Sequence, residues 1–150
     1  MMSIPRAPLI LGLTGLIPFL WGASTLLSDD LAALGLELLG ARFVGPYVQL
    51  AYGAVILSFM SGVLWGFATK ATSAQAATGY AFSVLPALWA FFMVGGGPTS
   101  AAMNLIFGFA GLLMLDFAFD RWGLTPTWWM KLRVLLTVIV VGCLAITVLI

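Results

Sequence analysis

The residues of this chain whose types and spacing could do chemistry gather between Met114 and Arg133: Asp116, Asp120, Arg121, Lys131 and Arg133. They are five of only eleven charged side chains, 6 Lys+Arg and 5 Asp+Glu. Asp116 and Asp120 are four residues apart, so they share one face of a helix. A carboxylate inside a membrane is a candidate for proton or solute transfer by default. The same spacing also supports a structural role. An unpaired charge held in hydrocarbon is costly, and Lys131 and Arg133 open the next helix, which must fold back beside this one. The sequence therefore predicts an ion pair between Asp116 and Arg133, Arg being favoured by its fork of donors. The five charges together form a structural or docking clasp, flanked by Trp122, Trp128 and Trp129 as interface anchors.

Other chemistry finds little support. Histidine is absent, which removes the commonest general base near neutral pH and the usual haem ligand. The single Cys143 lies in an apolar run and reads as a small packing residue. No catalytic, cofactor-binding or metal-ligating set is expected, and the chain reads as not an enzyme. Asp29 and Asp30 form a solvated acidic turn, and Gly95 to Gly97 lacks the Lys of a phosphate loop. With a net charge of +1 there is no basic footprint for nucleic acid.

The elements that must position the clasp are membrane helices. Among the 150 residues, 63% are apolar and 7% charged, and the mean hydropathy is +1.15, far from soluble composition. Spans of roughly twenty apolar residues are needed to cross about 30 Å of hydrocarbon. Five segments qualify, at about 8–27, 46–69, 77–94, 100–119 and 130–150. The fold class expected is all-α: one domain, a compact bundle of five transmembrane helices. The N-terminal segment resembles a signal peptide only weakly, Trp21 sitting badly at a cleavage position, so a retained first helix is expected. With the N-terminus cytoplasmic and the C-terminus outside, Arg6, Lys70, Arg121, Lys131 and Arg133 lie inside and Arg42 alone lies outside. The absence of transit-peptide composition argues for a bacterial inner (cytoplasmic) membrane or a mature organellar form, the bacterial membrane being the one expected.

The longer outer connection, 28–45, holds DDLAALGLELLG, which fits either an amphipathic helix on the membrane surface or a solvated loop. Small residues allow close helix approach in lipid. In the second span Ala54, Ser58, Gly62 and Gly66 recur every fourth residue and predict a helix-packing seam; Gly79, Ser83 and Ala87, then Ser100, Asn104 and Gly108, continue it. Ser58, Ser83 and Asn104 also allow a polar path, which packing outweighs. Pro18 and Pro86 predict kinks in the first and third spans, and Trp21, Trp65 and Trp89 read as interfacial anchors.

Asp116 to Arg133 has the pattern D-x-x-x-D-R-x-G-x-x-P-x-W-W-x-x-L-R. Together with Tyr52 to Gly66, YGAVILSFMSGVLWG, it resembles the DUF3429 family of transmembrane protein 69-like chains. The likeness runs from Arg6-Ala-Pro to the last helix and implies a small polytopic helical protein, without an activity or ligand set. Family members often carry His or Arg before the Trp65-Gly66 pair, where this chain has Leu64; this removes a proton-active group from the second span. The expected partners are the lipid bilayer and another integral membrane protein, served as a non-enzymatic accessory or assembly partner. The alternative is a small solute or proton transporter using Asp116.

Overall fold

A computed structural model describes residues 3–150, apart from the side chain of Ser73. Helices α1 (Arg6–Thr14), α2 (Ile17–Leu27), α3 (Asp29–Leu39), α4 (Gly45–Ala68), α5 (Ser73–Ser83), α6 (Leu85–Met93), α7 (Pro98–Arg121) and α8 (Trp129–Leu149) follow one another, with a short 3-10 turn at Ala41–Phe43. The protein is all-α. Among the described residues, five helical stretches are long and apolar enough to cross a membrane: Arg6–Leu27, Gly45–Ala68, Ala74–Met93, Pro98–Arg121 and Trp129–Leu149.

Two of those five are broken, and proline explains both breaks. Pro18 and Pro86 stand in the first turns of α2 and α6, where a missing N–H costs nothing because first-turn donors have no intrahelical acceptor. One turn earlier each proline ring would meet the carbonyl four residues back, so the helix ends before it: α1 at Thr14 and α5 at Ser83. The neighbouring span repairs part of the damage. At the second break, the Ala87 N–H donates to Ser61 Oγ of α4 at 2.8 Å.

The outer connection is helical. Ser28 caps α3 by accepting from the Leu31 N–H at 3.3 Å, and Asp29 and Asp30 occupy the first turn, where carboxylates suit the positive end of the helix dipole. Gly35 lies against Trp21 and Val44, and a helical projection puts Leu31, Leu38 and Leu39 on the same side, opposite Asp30 and Glu37. Of the two readings of this segment, the amphipathic helix is the one observed.

α4 is the axis of the bundle, packing against α2, α5, α6 and α7, while α8 closes against α7 and α2. The core is made by Phe19, Leu57, Leu64, Leu105, Phe109, Leu112, Phe119 and Leu144, all fully enclosed. Phe19 meets Tyr52 and Phe109 edge-on, at ring separations of 5.3 and 5.9 Å. Cys143 is buried as a packing residue.

The packing seam of the second span is a correction. Ser58, Gly62 and Gly66 are exposed, Ala54 is half-buried, and a Cβ on Gly62 or Gly66 would meet nothing within 4 Å. The face of α4 that packs is instead Gln49, Gly53, Leu57, Ser61, Leu64 and Ala68. Four-residue spacing puts residues on one face without saying which way that face points. The seams of the third and fourth spans are met in part: Gly79, Ser83 and Gly108 are buried, with Gly79 against Ala68 and a Cβ on Gly108 standing 2.8 Å from Trp89 and 2.9 Å from Leu57, whereas Ala87 and Asn104 are half-buried and Ser100 is exposed. Ser58, Ser83 and Asn104 bond separately to the Ala54, Tyr80 and Met93 carbonyls and form no common path. Trp21 and Trp89 are also more than anchors, donating to the Phe43 carbonyl at 2.7 Å and the Asn104 carbonyl at 2.6 Å.

One buried polar knot escapes the sequence reading. Gln49, fully enclosed, donates through Nε2 to the carbonyls of Phe19 at 3.1 Å and Cys143 at 3.3 Å, and its Oε1 accepts from Thr147 Oγ1 at 2.6 Å. One side chain thereby ties α2, α4 and α8. Gln49→Leu should lower stability by about 1–2 kcal/mol, read as detergent-solubilised thermal unfolding. Adding Thr147→Val to that variant should cost little more; equal and additive losses from the two substitutions would show that they do not act through each other.

Candidate functional site

The hairpin joining α7 to α8 is closed by a glycine turn. Gly123, at φ +75°, adopts the left-handed conformation that glycine reaches without a steric penalty. The Leu124 N–H then bonds the Phe119 carbonyl and the Gly123 N–H the Asp120 carbonyl, a Schellman arrangement that satisfies the last carbonyls of α7. Leu124 is buried in the same core as Phe119. This turn carries the chain back so that the start of α8 lies beside the end of α7.

Asp116 is fully enclosed, and Arg133 is 5% exposed. The Arg133 Nε donates to Asp116 Oδ2 at 2.8 Å, the predicted ion pair. The other carboxylate oxygen is held by a residue given a different role: Trp129 Nε1 donates to Asp116 Oδ1 at 3.0 Å. Trp129 also meets the Phe67 ring edge-on at 5.0 Å. It is thus an internal ligand of the carboxylate rather than an interface anchor. Its spacing from Arg133, four residues along α8, puts both donors on one face, a signal that could have been read beforehand.

The remaining members of the clasp are arranged differently from the expectation. Asp120 accepts from Thr125 Oγ1 at 2.6 Å and so braces the turn within its own loop. The Arg121 guanidinium lies 5.9 Å over the Phe117 ring. Lys131 is exposed at the start of α8. Trp122 packs on Phe119 at 5.4 Å, and Trp128 on Trp129 at 6.1 Å, both half-buried. A further cation joins from the second span: Lys70 Nζ reaches the Leu124 carbonyl at 3.5 Å and lies 5.4 Å over the Phe67 ring.

Chemically, the arrangement holds charge in place rather than presenting it. Both Asp116 oxygens accept a donor, and no surface of the residue is accessible. That leaves the transporter reading without a free carboxylate at this site. Among the described residues, no group of three or more His, Cys, Asp or Glu is placed to hold a metal.

Five apolar spans, two of them broken at proline and two joined by a buried ion pair, define a small multi-pass α-helical membrane protein. The chain belongs to the DUF3429 family, described as a protein of unknown function (DUF3429), whose profile matches residues 4–149. It is 36% identical over 141 residues to transmembrane protein 69 of Xenopus tropicalis, an alignment covering 91% of this chain and 51% of that protein. The chain thus spans about half the length of that curated relative. No solved structure matches it significantly.

Removing one member of a buried ion pair typically costs about 3–5 kcal/mol, because the other charge is left uncompensated. Arg133→Leu should therefore sharply reduce folded yield and thermal stability, and adding Asp116→Asn should recover part of the loss. A double variant no more stable than Arg133→Leu alone would remove the ion pair as the reason α7 and α8 stay together.

Proposed function

We propose that this protein is a non-enzymatic accessory or assembly partner of another integral membrane protein. The observation that carries this reading is the outward stripe of α4. Ser58, Gly62 and Gly66 form an exposed small-residue face in a membrane span, and a Cβ on either glycine meets nothing within 4 Å among the described residues. In lipid, such a face lets a foreign helix come close enough for backbone contact, which large apolar side chains prevent. Exposed Val55, Phe59 and Trp65 border it and would grip a helix lying along the groove. The short loops leave the lateral surface as the main area for contact.

The reading carries a bacterial inner-membrane location with the N-terminus cytoplasmic, supported by the excess of Lys and Arg at the Arg133 end of the bundle. Native electrophoresis of gently extracted membranes should show the chain in a larger complex. Photocrosslinking from position 62 should capture a membrane protein, and Gly62→Leu should release the chain from the complex. Val138→Leu, at a position 65% exposed on α8, should leave the complex intact. Migration only as a free monomer, with no crosslink from position 62, would overturn the proposal.

A further inference from the structure

A cavity of about 360 Å³ lies between the broken first span, α4 and α8. That is more than twice the roughly 150 Å³ at which an apolar protein cavity already takes a benzene ring. Phe19, Tyr52, Phe109 and Trp129 bring aromatic rings to its wall, which is otherwise mostly aliphatic, with Ile56 and Val140 among the lining residues. Its rim includes Leu11 and Phe59, 71% and 65% exposed, on the surface that the apolar spans turn to the bilayer. A molecule dissolved in the membrane can therefore reach it from the side.

Two polar side chains on α8 interrupt the apolar lining, one helical turn apart. Arg133 uses its Nε for Asp116, and its two Nη groups meet no acceptor among the described residues. Thr137 Oγ1 is the one buried side-chain oxygen or nitrogen without a partner among the described residues. A threonine hydroxyl in a helix ordinarily returns to a carbonyl three or four residues back, so an unsatisfied one beside a cavity is a donor in search of an acceptor. The charge of the site narrows the occupant further. Asp116 already neutralises Arg133, so an added anion would bring an uncompensated charge into a low-dielectric site, whereas a neutral carbonyl would accept from both donors without that cost.

We propose that this cavity is an intramembrane binding site for a neutral, carbonyl-bearing ring compound of the quinone type, its ring among the aromatic side chains of the wall and its carbonyl oxygens at Arg133 and Thr137. Size, wall chemistry, donor placement and lateral access all point to that class. The proposal does not rest on the docking face of α4: Ser58, Gly62 and Gly66 do not line the cavity, and Phe59 alone borders both.

Decylubiquinone titrated into the purified full chain in phosphatidylcholine nanodiscs should quench tryptophan fluorescence saturably, at one equivalent above the linear background from partitioning. Thr137→Val removes the hydroxyl at nearly constant volume and should weaken binding roughly three- to tenfold. Ile56→Phe, which fills the cavity without adding a tryptophan, should weaken it at least about tenfold, by steric exclusion. Decylbenzene, without carbonyls, and dodecanoate, an anion, should compete poorly. Linear quenching that is the same in all three proteins would overturn the proposal. Competition by dodecanoate or decylbenzene equal to that of the quinone would also overturn it, by making the occupant a simple acyl or alkyl chain. If Thr137→Val does not fold, Ile56→Phe and the competitors decide the matter alone.

Discussion

Hydrocarbon offers no hydrogen bonds, so each polar group carried into the bilayer must find its partner inside the protein. Much of this structure follows from that constraint. Pro18 and Pro86 interrupt two spans, and the freed Ala87 N–H is met by Ser61 from α4. Gln49 spends its whole amide on two carbonyls and a threonine hydroxyl. Asp116, the most expensive group of all to bury, receives a guanidinium and an indole, one at each oxygen. Each of these satisfactions crosses between helices. The same bonds that remove a desolvation cost therefore fix which helices are neighbours, a task the hydrophobic effect cannot perform where lipid tails are as apolar as leucine.

The features that local sequence sets were legible before the structure. Spans announce themselves by length and hydropathy, and the observed Gly45–Ala68 differs by one residue at each end from the 46–69 expected. Proline breaks are local steric events, so both fell where they were expected. The Asp116 and Arg133 pairing was readable because so few charges exist that each had few possible partners. What stayed hidden was the direction of each helix face. On α4, Leu57 and Phe59 are equally apolar, yet one is enclosed and the other 65% exposed. In water that choice would show as polar residues on the outer side; in lipid both sides are apolar, and the pattern carries no sign. The small-residue stripe was misdirected for this reason. Gln49 gave a signal that was passed over, since an amide in a membrane span has to be spent on something.

Trp129 shows a related ambiguity. A tryptophan at the start of a membrane helix suits an interfacial anchor and an internal hydrogen-bond donor equally well, because its ring is apolar and its N–H needs a partner. What separates the two is whether an acceptor lies within reach, and that depends on how tightly the Gly123 turn folds α8 back on α7. The Schellman geometry at Phe119, Asp120, Gly123 and Leu124 sets that approach. A residue's role at the clasp is thus decided by a turn several residues away.

The satisfied carboxylate and the unsatisfied hydroxyl are two outcomes of one economy on α8. Trp129 and Arg133 point their donors at Asp116, and Arg133 still has donors left, because a guanidinium carries five N–H groups and a carboxylate in this position takes one of them. Thr137, one turn deeper, adds another. In a helix bundle built so that polar groups are spent internally, this surplus stands out, and it borders a cavity of about 360 Å³ between the spans. A closer approach of α1 to α8 would fill that void, but a Cβ at Gly12 would already stand 3.1 Å from Leu136 and 3.3 Å from Leu132, and the chain breaks just beyond it at Gly15 and Leu16. The proline that ends α1 therefore does more than kink a span. The break at Gly15 and Leu16 falls in the wall of the cavity that Arg133 and Thr137 also line, so the interrupted span and the surplus donors meet at one place.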